Sequence, residues 1–176
     1  NLDGTGKAEF STGCGFLDHM LELFARHWDF DLSVVCHGDT QVDDHHTVED
    51  TGICLGRAFQ EALGDKRGIV RYGQFLLPMD ETLVLCAVDL SGRDYLGWAV
   101  DLPAAKVGTF DTELAQEFWL GFVRNCPGSL HFRQLAGENT HHILEAVFKG
   151  AGRTLKAAAA FDPKHMDEIP STKGVL

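Results

Sequence analysis

The chain repeats itself, and the repeat limits what it can fold into. The pattern His-His-x-x-Glu occurs as His45-His46-Thr47-Val48-Glu49 and again as His141-His142-Ile143-Leu144-Glu145. Aligning the two doublets places Val48 on Leu144, Gly52 on Phe148, Leu55 on Ala151 and Phe59 on Leu155. Both copies therefore carry their apolar stripe in the same helical register. The surroundings repeat as well. A helix is expected from Leu17 to about Trp28, with Leu17, Met20, Leu21 and Phe24 on one face, then a strand over Asp31–Cys36 containing Val34 and Val35. A second helix then starts near Asp43-Asp44, either of which suits a capping role, and stops at Gly64. Helix, strand and His-His helix return as about Thr112–Val123, Ser129–Leu135 and His141–Ala160. Between the copies, Ile69–Leu77, Thr82–Leu90 and Tyr95–Val100 read as strands separated by the turns Pro78-Met79-Asp80 and Ser91-Gly92-Arg93. Pro163 and Pro170 mark an irregular tail. The expectation is an α+β fold of one domain built from two pseudo-repeats, about 1–90 and 91–176.

The duplicated motif carries chemistry. On a helix, positions i and i+4 share a face, while i+1 turns about 100° away. His45 and Glu49 can grip one ion together, and so can His141 and Glu145; His46 and His142 each point elsewhere. If the two helices face each other about a pseudo-twofold, one site takes His45, Glu49 and His142. The other takes His141, Glu145 and His46. A fourth ligand is sought on each preceding helix, where His19 lies 26 residues before His45 and Glu117 lies 24 residues before His141. His19 is assigned to the His141–Glu145 site and Glu117 to the His45–Glu49 site. Mixed imidazole and carboxylate ligation suits a first-row transition ion, and the lack of cysteine in the motif argues against a closed structural zinc. A single HxxxE pair is more often a surface ion pair; two copies in equivalent repeats, each beside a further histidine, shift the balance to metal.

Bulk properties exclude other classes. A formal net charge of −11 argues against nucleic acid or anionic membrane as the main partner. No apolar run approaches the roughly 18 residues of a membrane span, and no stretch reads as a signal peptide. The five cysteines are odd in number and free of CxxC spacing, as expected of reduced thiols in a cytoplasmic protein.

At the stretches GFLDHML (15–21), DDHHTVEDTGICLG (43–56), LHFRQLAGENTHHILEAVFKG (130–150) and PSTKG (170–174), the chain resembles the imidazole glycerol phosphate dehydratase family. The resemblance runs from Asn1 to Leu176. It implies a duplicated ribosomal-S5-domain-2-like fold with helices layered between β-sheets, and a homo-oligomeric shell of 24 subunits with active sites between subunits. It also implies dehydration of D-erythro-imidazole glycerol phosphate to imidazole acetol phosphate in histidine biosynthesis. Two manganese ions (Mn2+) per site and an imidazolate intermediate are part of the same implication. The metal ligands carry over to His19, His45, His46 and Glu49, and to Glu117, His141, His142 and Glu145. Substrate contacts carry over to His27, Arg71, Arg93, Lys149, Ser171 and Lys173, and His19 and Glu49 at the metals are substrate contacts as well. Glu145 is the candidate proton shuttle, with His45 and His141 as further catalytic candidates. Arg forks and Lys point charges suit a phosphate monoester, although each alone is more often a solvated surface charge. Three departures stand out. Many relatives have His at the position of Glu117, some have Gln at that of Leu23, and family members carry an Arg- and Glu-bearing strand ahead of the segment matching Asn1. Manganese itself rests on the resemblance, because such ligands bind Zn2+ or Ni2+ more tightly by intrinsic order.

Two rival classes compete on the residues alone. A dinuclear phosphoesterase would need metals roughly 3.5–4 Å apart and a bridging carboxylate that the ligand sets do not obviously offer. A metal-storage shell would leave the Ser-Thr-Lys tail and the paired arginines without a task.

Overall fold

A computed structural model describes residues 1–176. In chain order the elements are β1 (Ala8–Ser11), α1 (Gly15–Trp28), β2 (Leu32–Val35), α2 (His45–Leu63), β3 (Tyr72–Met79) and β4 (Thr82–Asp89). There follow β5 (Tyr95–Ala99), the short hairpin β6 (Lys106–Val107) and β7 (Phe110–Asp111), α3 (Leu114–Asn125), β8 (Ser129–Ala136) and α4 (Thr140–Ala159). No helix is long and apolar enough to cross a membrane.

The repeat is visible in the topology. β1–α1–β2–α2 and β5–α3–β8–α4 have the same order, and in each the first strand pairs parallel with the second. β3 and β4 form an antiparallel hairpin joined through β4 to β8, giving the sheet order β3-β4-β8-β5. That hairpin is hydrogen-bonded into the second unit through β4 and β8. The helices lie between the four-stranded sheet, which covers α4, and the β1–β2 pair, which lies against α1.

The helices pair across the repeats: α1 packs on α4, and α2 on α3. Each buries the stripe its spacing offers, Leu17, Met20, Leu21 and Phe24 on α1 and Phe118, Trp119 and Phe122 on α3. Full burial of a large apolar side chain contributes about 1.5–3 kcal/mol, so these stripes supply much of the drive for helix packing. Trp119 sits at the centre, with ring centroids 5.1 Å from Phe148, 5.1 Å from Phe132 and 5.7 Å from Phe24. Gly52 interrupts the apolar stripe of α2 because the Phe118 carbonyl of α3 occupies the space a Cβ would need.

One boundary and one strand differ from expectation. β3 begins at Tyr72, not Ile69, because Arg71 sits at φ 76°, a left-handed conformation that breaks a strand. Residues 69–71 instead pair with the chain leaving α4, through Val70 N–H to the Ala160 carbonyl and Arg71 N–H to the Ala158 carbonyl, both at 2.8 Å. β1 escaped the sequence reading; it has four residues, three of them exposed, too few to show an alternating pattern.

Candidate metal centre and phosphate cleft

The start of α4 is fixed by Asn139, whose Oδ1 accepts the N–H groups of His141 (3.0 Å) and His142 (3.4 Å). One turn on, Glu145 lies under His141, with Nε2 and Oε1 at 3.1 Å. α1, packed alongside, delivers His19, whose Nε2 lies 3.0 Å from the same Oε1. The ligand atoms of His19, His141 and Glu145 all lie within 4.8 Å of one another. Phe16 packs edge-on against His141 at 5.3 Å. The other Glu145 oxygen accepts from Lys149 Nζ at 2.6 Å. Burial raises the carboxyl pKa, but Lys149 and His19, then His141, outweigh it and hold the group at about 2. Two imidazoles and an ionised carboxylate converging on one point are a donor set that fits a divalent transition ion.

The equivalent place on α2 is looser. Asp43 Oδ1 caps the His45 N–H at 2.8 Å, while Asp44 occupies the N-cap position without a side-chain bond. His45 Nε2 and Glu49 Oε2 are 3.8 Å apart. Glu117 stands in the first turn of α3, whose Gly121 faces the Glu49 backbone, yet it does not close into a tight trio with His45 and Glu49.

The exchange of His46 and His142 between the two sites does not occur within one chain. α2 and α4 do not face each other as a pair; each is packed on the preceding helix of the other unit. The second imidazole of each doublet, turned about 100° from the first, meets a loop carboxylate instead. His46 Nδ1 lies 3.0 Å from Asp39 Oδ2, and His142 Nδ1 lies 2.9 Å from Glu81 Oε2. The Glu81 pKa falls to about 2, chiefly through the bond to His142 and then through the Asn139 N–H. Asp39 and Glu81 were missed in the sequence. Asp39 lies in an irregular stretch with other acids, and Glu81 follows Pro78-Met79-Asp80, which signals only a turn.

The remaining predicted contacts divide. Arg71, Arg93, Ser171 and Lys173 are brought together in one cleft of about 450 Å³, beside Ser91. The Ser91 hydroxyl is buried there without a hydrogen-bond partner, an orphan that a ligand oxygen would satisfy. Three of the five Arg71 N–H donors are already engaged. Its guanidinium forks onto Asp89 at 2.7 and 3.2 Å and donates to the Pro170 carbonyl at 2.8 Å, and the Asp89 bond raises its pKa. It braces the cleft and holds the tail in place. Lys149 belongs to the metal centre, through Glu145. His27 is in the last turn of α1, its Nδ1 2.8 Å from the Leu23 carbonyl, two turns beyond His19 and apart from both groups.

The cleft and the metal centre lie at opposite ends of the protein. Arg71 precedes the first residue of β3, whereas Glu81 and His142 sit at the far end of the β3–β4 hairpin; eight strand residues span about 25 Å. Along α4, Glu145 and Ala158, the partner of Arg71, are separated by about 20 Å. No small molecule touches both in one chain.

A duplicated α+β scaffold whose paired helices present histidine and glutamate defines a candidate metal-dependent enzyme. The sequence profile of the imidazoleglycerol-phosphate dehydratases matches residues 12–155. The dehydratase of Roseobacter denitrificans is 59% identical over 99% of this chain and 90% of its own length, and that of Desulforamulus reducens 58% identical over 99% and 89%. Among solved structures, the dehydratase of Staphylococcus aureus superposes with a TM-score of 0.86 at 44% identity, covering 91% of both chains. That of Pyrococcus furiosus, in complex with (S)-C348, gives 0.85 at 39%, covering 97% of this chain and 91% of the other. The chain belongs to the imidazoleglycerol-phosphate dehydratase family and is an enzyme of the hydro-lyase class, with the fold its sequence implied.

Proposed function

We propose that the protein dehydrates D-erythro-imidazole glycerol phosphate to imidazole acetol phosphate in histidine biosynthesis, as a cytoplasmic homo-oligomer, a shell of 24 subunits, with two Mn2+ per active site. The observation that carries this reading is the convergence of His19, His141 and Glu145 on one point in a chain of this family. The whole chain acts as one catalytic domain in two halves. His19, His141 and Glu145 would hold one ion with His46 of another copy. His45, Glu49 and Glu117 would hold the second with His142 of another copy. The separation of cleft from metal centre supports sites shared between copies, since one substrate must reach both.

Held by those residues, the ions would supply Lewis acidity that favours the deprotonated substrate ring. The reaction then runs through the imidazolate form of the substrate. Its electron pair breaks the C–O bond next to the ring, hydroxide leaves with a proton as water, and loss of the neighbouring C–H proton gives an enol that becomes the ketone. Glu145 serves as the proton shuttle beside its metal, with Lys149 Nζ 2.6 Å from its Oε2. Arg93, Lys173, Ser171 and Ser91 hold the phosphate, and Arg71 keeps the cleft wall rigid. Confining both ends of the substrate fixes the leaving hydroxyl relative to Glu145.

The test is turnover of imidazole glycerol phosphate, followed by formation of the enolisable ketone, before and after chelation. Activity is expected to vanish on metal removal and return with Mn2+. Full activity in metal-free protein, or release of inorganic phosphate in place of ketone, overturns the reading.

A further inference from the structure

The two second-doublet histidines share a device that their sequence surroundings do not. Asp39 comes from the loop seven residues ahead of His46 and places both oxygens on Nδ1, at 3.0 and 3.2 Å. Glu81 comes from the β3–β4 turn, sixty-one residues ahead of His142, and reaches Nδ1 with Oε2 at 2.9 Å. The two halves thus use unrelated chain segments to put a carboxylate on the same ring nitrogen. An ionised carboxylate can only accept, so Nδ1 must carry the proton, and in the neutral ring the lone pair then lies on Nε2. The nearest carboxylate to His142 Nε2 is Asp80, at 3.9 Å, outside hydrogen-bond range. His46 Nε2 is likewise open, on a side chain 64% exposed.

We propose that Glu81 and Asp39 are positioning residues that fix His142 and His46 as Nδ1–H tautomers, aiming an Nε2 lone pair outward to complete a metal site on another copy of the chain. This rests on the metal-dependent reading above. A carboxylate behind a ligating imidazole fixes its orientation and raises its basicity, and its loss typically lowers metal affinity about 10–100-fold.

The two carboxylates differ in a way that makes the proposal sharp. Glu81 Oε1 is pinned by the N–H groups of Asn139 (2.9 Å) and Glu138 (3.3 Å) and by the Thr82 hydroxyl (3.1 Å). In Glu81→Gln the amide oxygen must stay with those donors, so the NH2 group faces His142 Nδ1. The ring can then only accept at Nδ1, which moves the proton to Nε2 and removes the outward lone pair. Asp39 is held only by its own backbone N–H. Its oxygens both reach His46, so Asp39→Asn can turn its carbonyl to the ring and keep the tautomer.

The experiment is solid-state 15N NMR of histidine-labelled, metal-free protein at alkaline pH, with the His142 and His46 resonances assigned through His142→Asn and His46→Asn, alongside Mn2+ titration by EPR. Glu81→Gln is expected to convert His142 to the Nε2–H form and to weaken Mn2+ binding about 10–100-fold. Asp39→Asn should leave the His46 tautomer unchanged and cost less affinity. A wild-type His142 or His46 already in the Nε2–H form, or a Glu81→Gln variant that loses affinity with its tautomer unaltered, overturns the proposal. Failure of wild-type protein to bind Mn2+ would instead remove the metal-dependent reading, while the tautomers of His142 and His46 in metal-free wild-type protein, and of His142 in Glu81→Gln, still decide whether the carboxylates fix them.

Discussion

Replacing Gly152 by alanine sets two physical effects against each other. In the interior of α4, alanine is favoured over glycine by about 1 kcal/mol, so helix propensity alone predicts a more stable protein. Packing predicts the opposite. A Cβ at position 152 would lie 2.6 Å from the Phe24 carbonyl oxygen of α1 and 3.3 Å from His27 Cβ, whereas real Cβ contacts essentially never fall below 3.0 Å. That carbonyl belongs to the α1 backbone and cannot swing aside, so α1 must move by at least about 0.4 Å, the difference between those limits. Overpacking of a tight core costs about 1–3 kcal/mol. The net expectation is destabilisation by up to about 2 kcal/mol, a fall in Tm of up to about 4–8 °C for a chain of this size. α1 also carries His19, and ligand distances tolerate only about 0.2 Å. Displacement should therefore weaken Mn2+ binding at the His19–His141–Glu145 site as well. Thermal unfolding of the metal-free protein and Mn2+ titration measure the two effects separately. Gly56→Ala repeats the test on α2, where the Phe122 carbonyl stands in the way. If Gly152→Ala melts above wild type with unchanged Mn2+ affinity, the close helix contact does not hold the metal centre together.

Two further outcomes are expected. Because Glu145 is held at about 2, below the ordinary carboxylate pKa of about 4.3 in the unfolded chain, its ionisation stabilises the fold above that ordinary value. This contribution should drain away as pH falls from about 4.3 through about 2, and acid titration of metal-free Glu145→Gln by circular dichroism should show a shallower loss over that window than wild type. Arg71→Lys should lower stability by about 1–3 kcal/mol, because an ammonium cannot reproduce the fork on Asp89 and the bond to Pro170 together. It should also raise KM more than it lowers kcat, as the cleft wall loosens; an unchanged Tm would show the brace to be idle.

The helix faces could be read from the sequence because they depend on local periodicity. Val48, Leu55 and Phe59 align with Leu144, Ala151 and Leu155, and all six are buried in the expected register. The trio of His19 with His141 and Glu145 was legible for the same reason, once the repeat gave each helix its counterpart. Which helices would touch was not. The doublets were expected to face each other, but the pairing of α1 with α4 and α2 with α3 is set by where small residues admit a neighbouring backbone, which periodicity does not reveal. Asp39, Glu81 and Asp89 were unreadable for a different reason. Each acts through a contact with a loop or turn whose path depends on the completed fold.

Complementation between two inactivated variants tests most directly whether active sites are built from more than one chain. His19→Ala damages the metal centre and Arg93→Ala the phosphate cleft, so each alone should be inactive while leaving the other half intact. When the two are unfolded together and reassembled, random mixing should give about a quarter of the sites an undamaged metal centre from one chain and an undamaged cleft from another. Activity near that fraction of wild type is the predicted result. Mixed assemblies, verified by mass, that stay as inactive as either variant alone would show that a single chain supplies both ends of its own site.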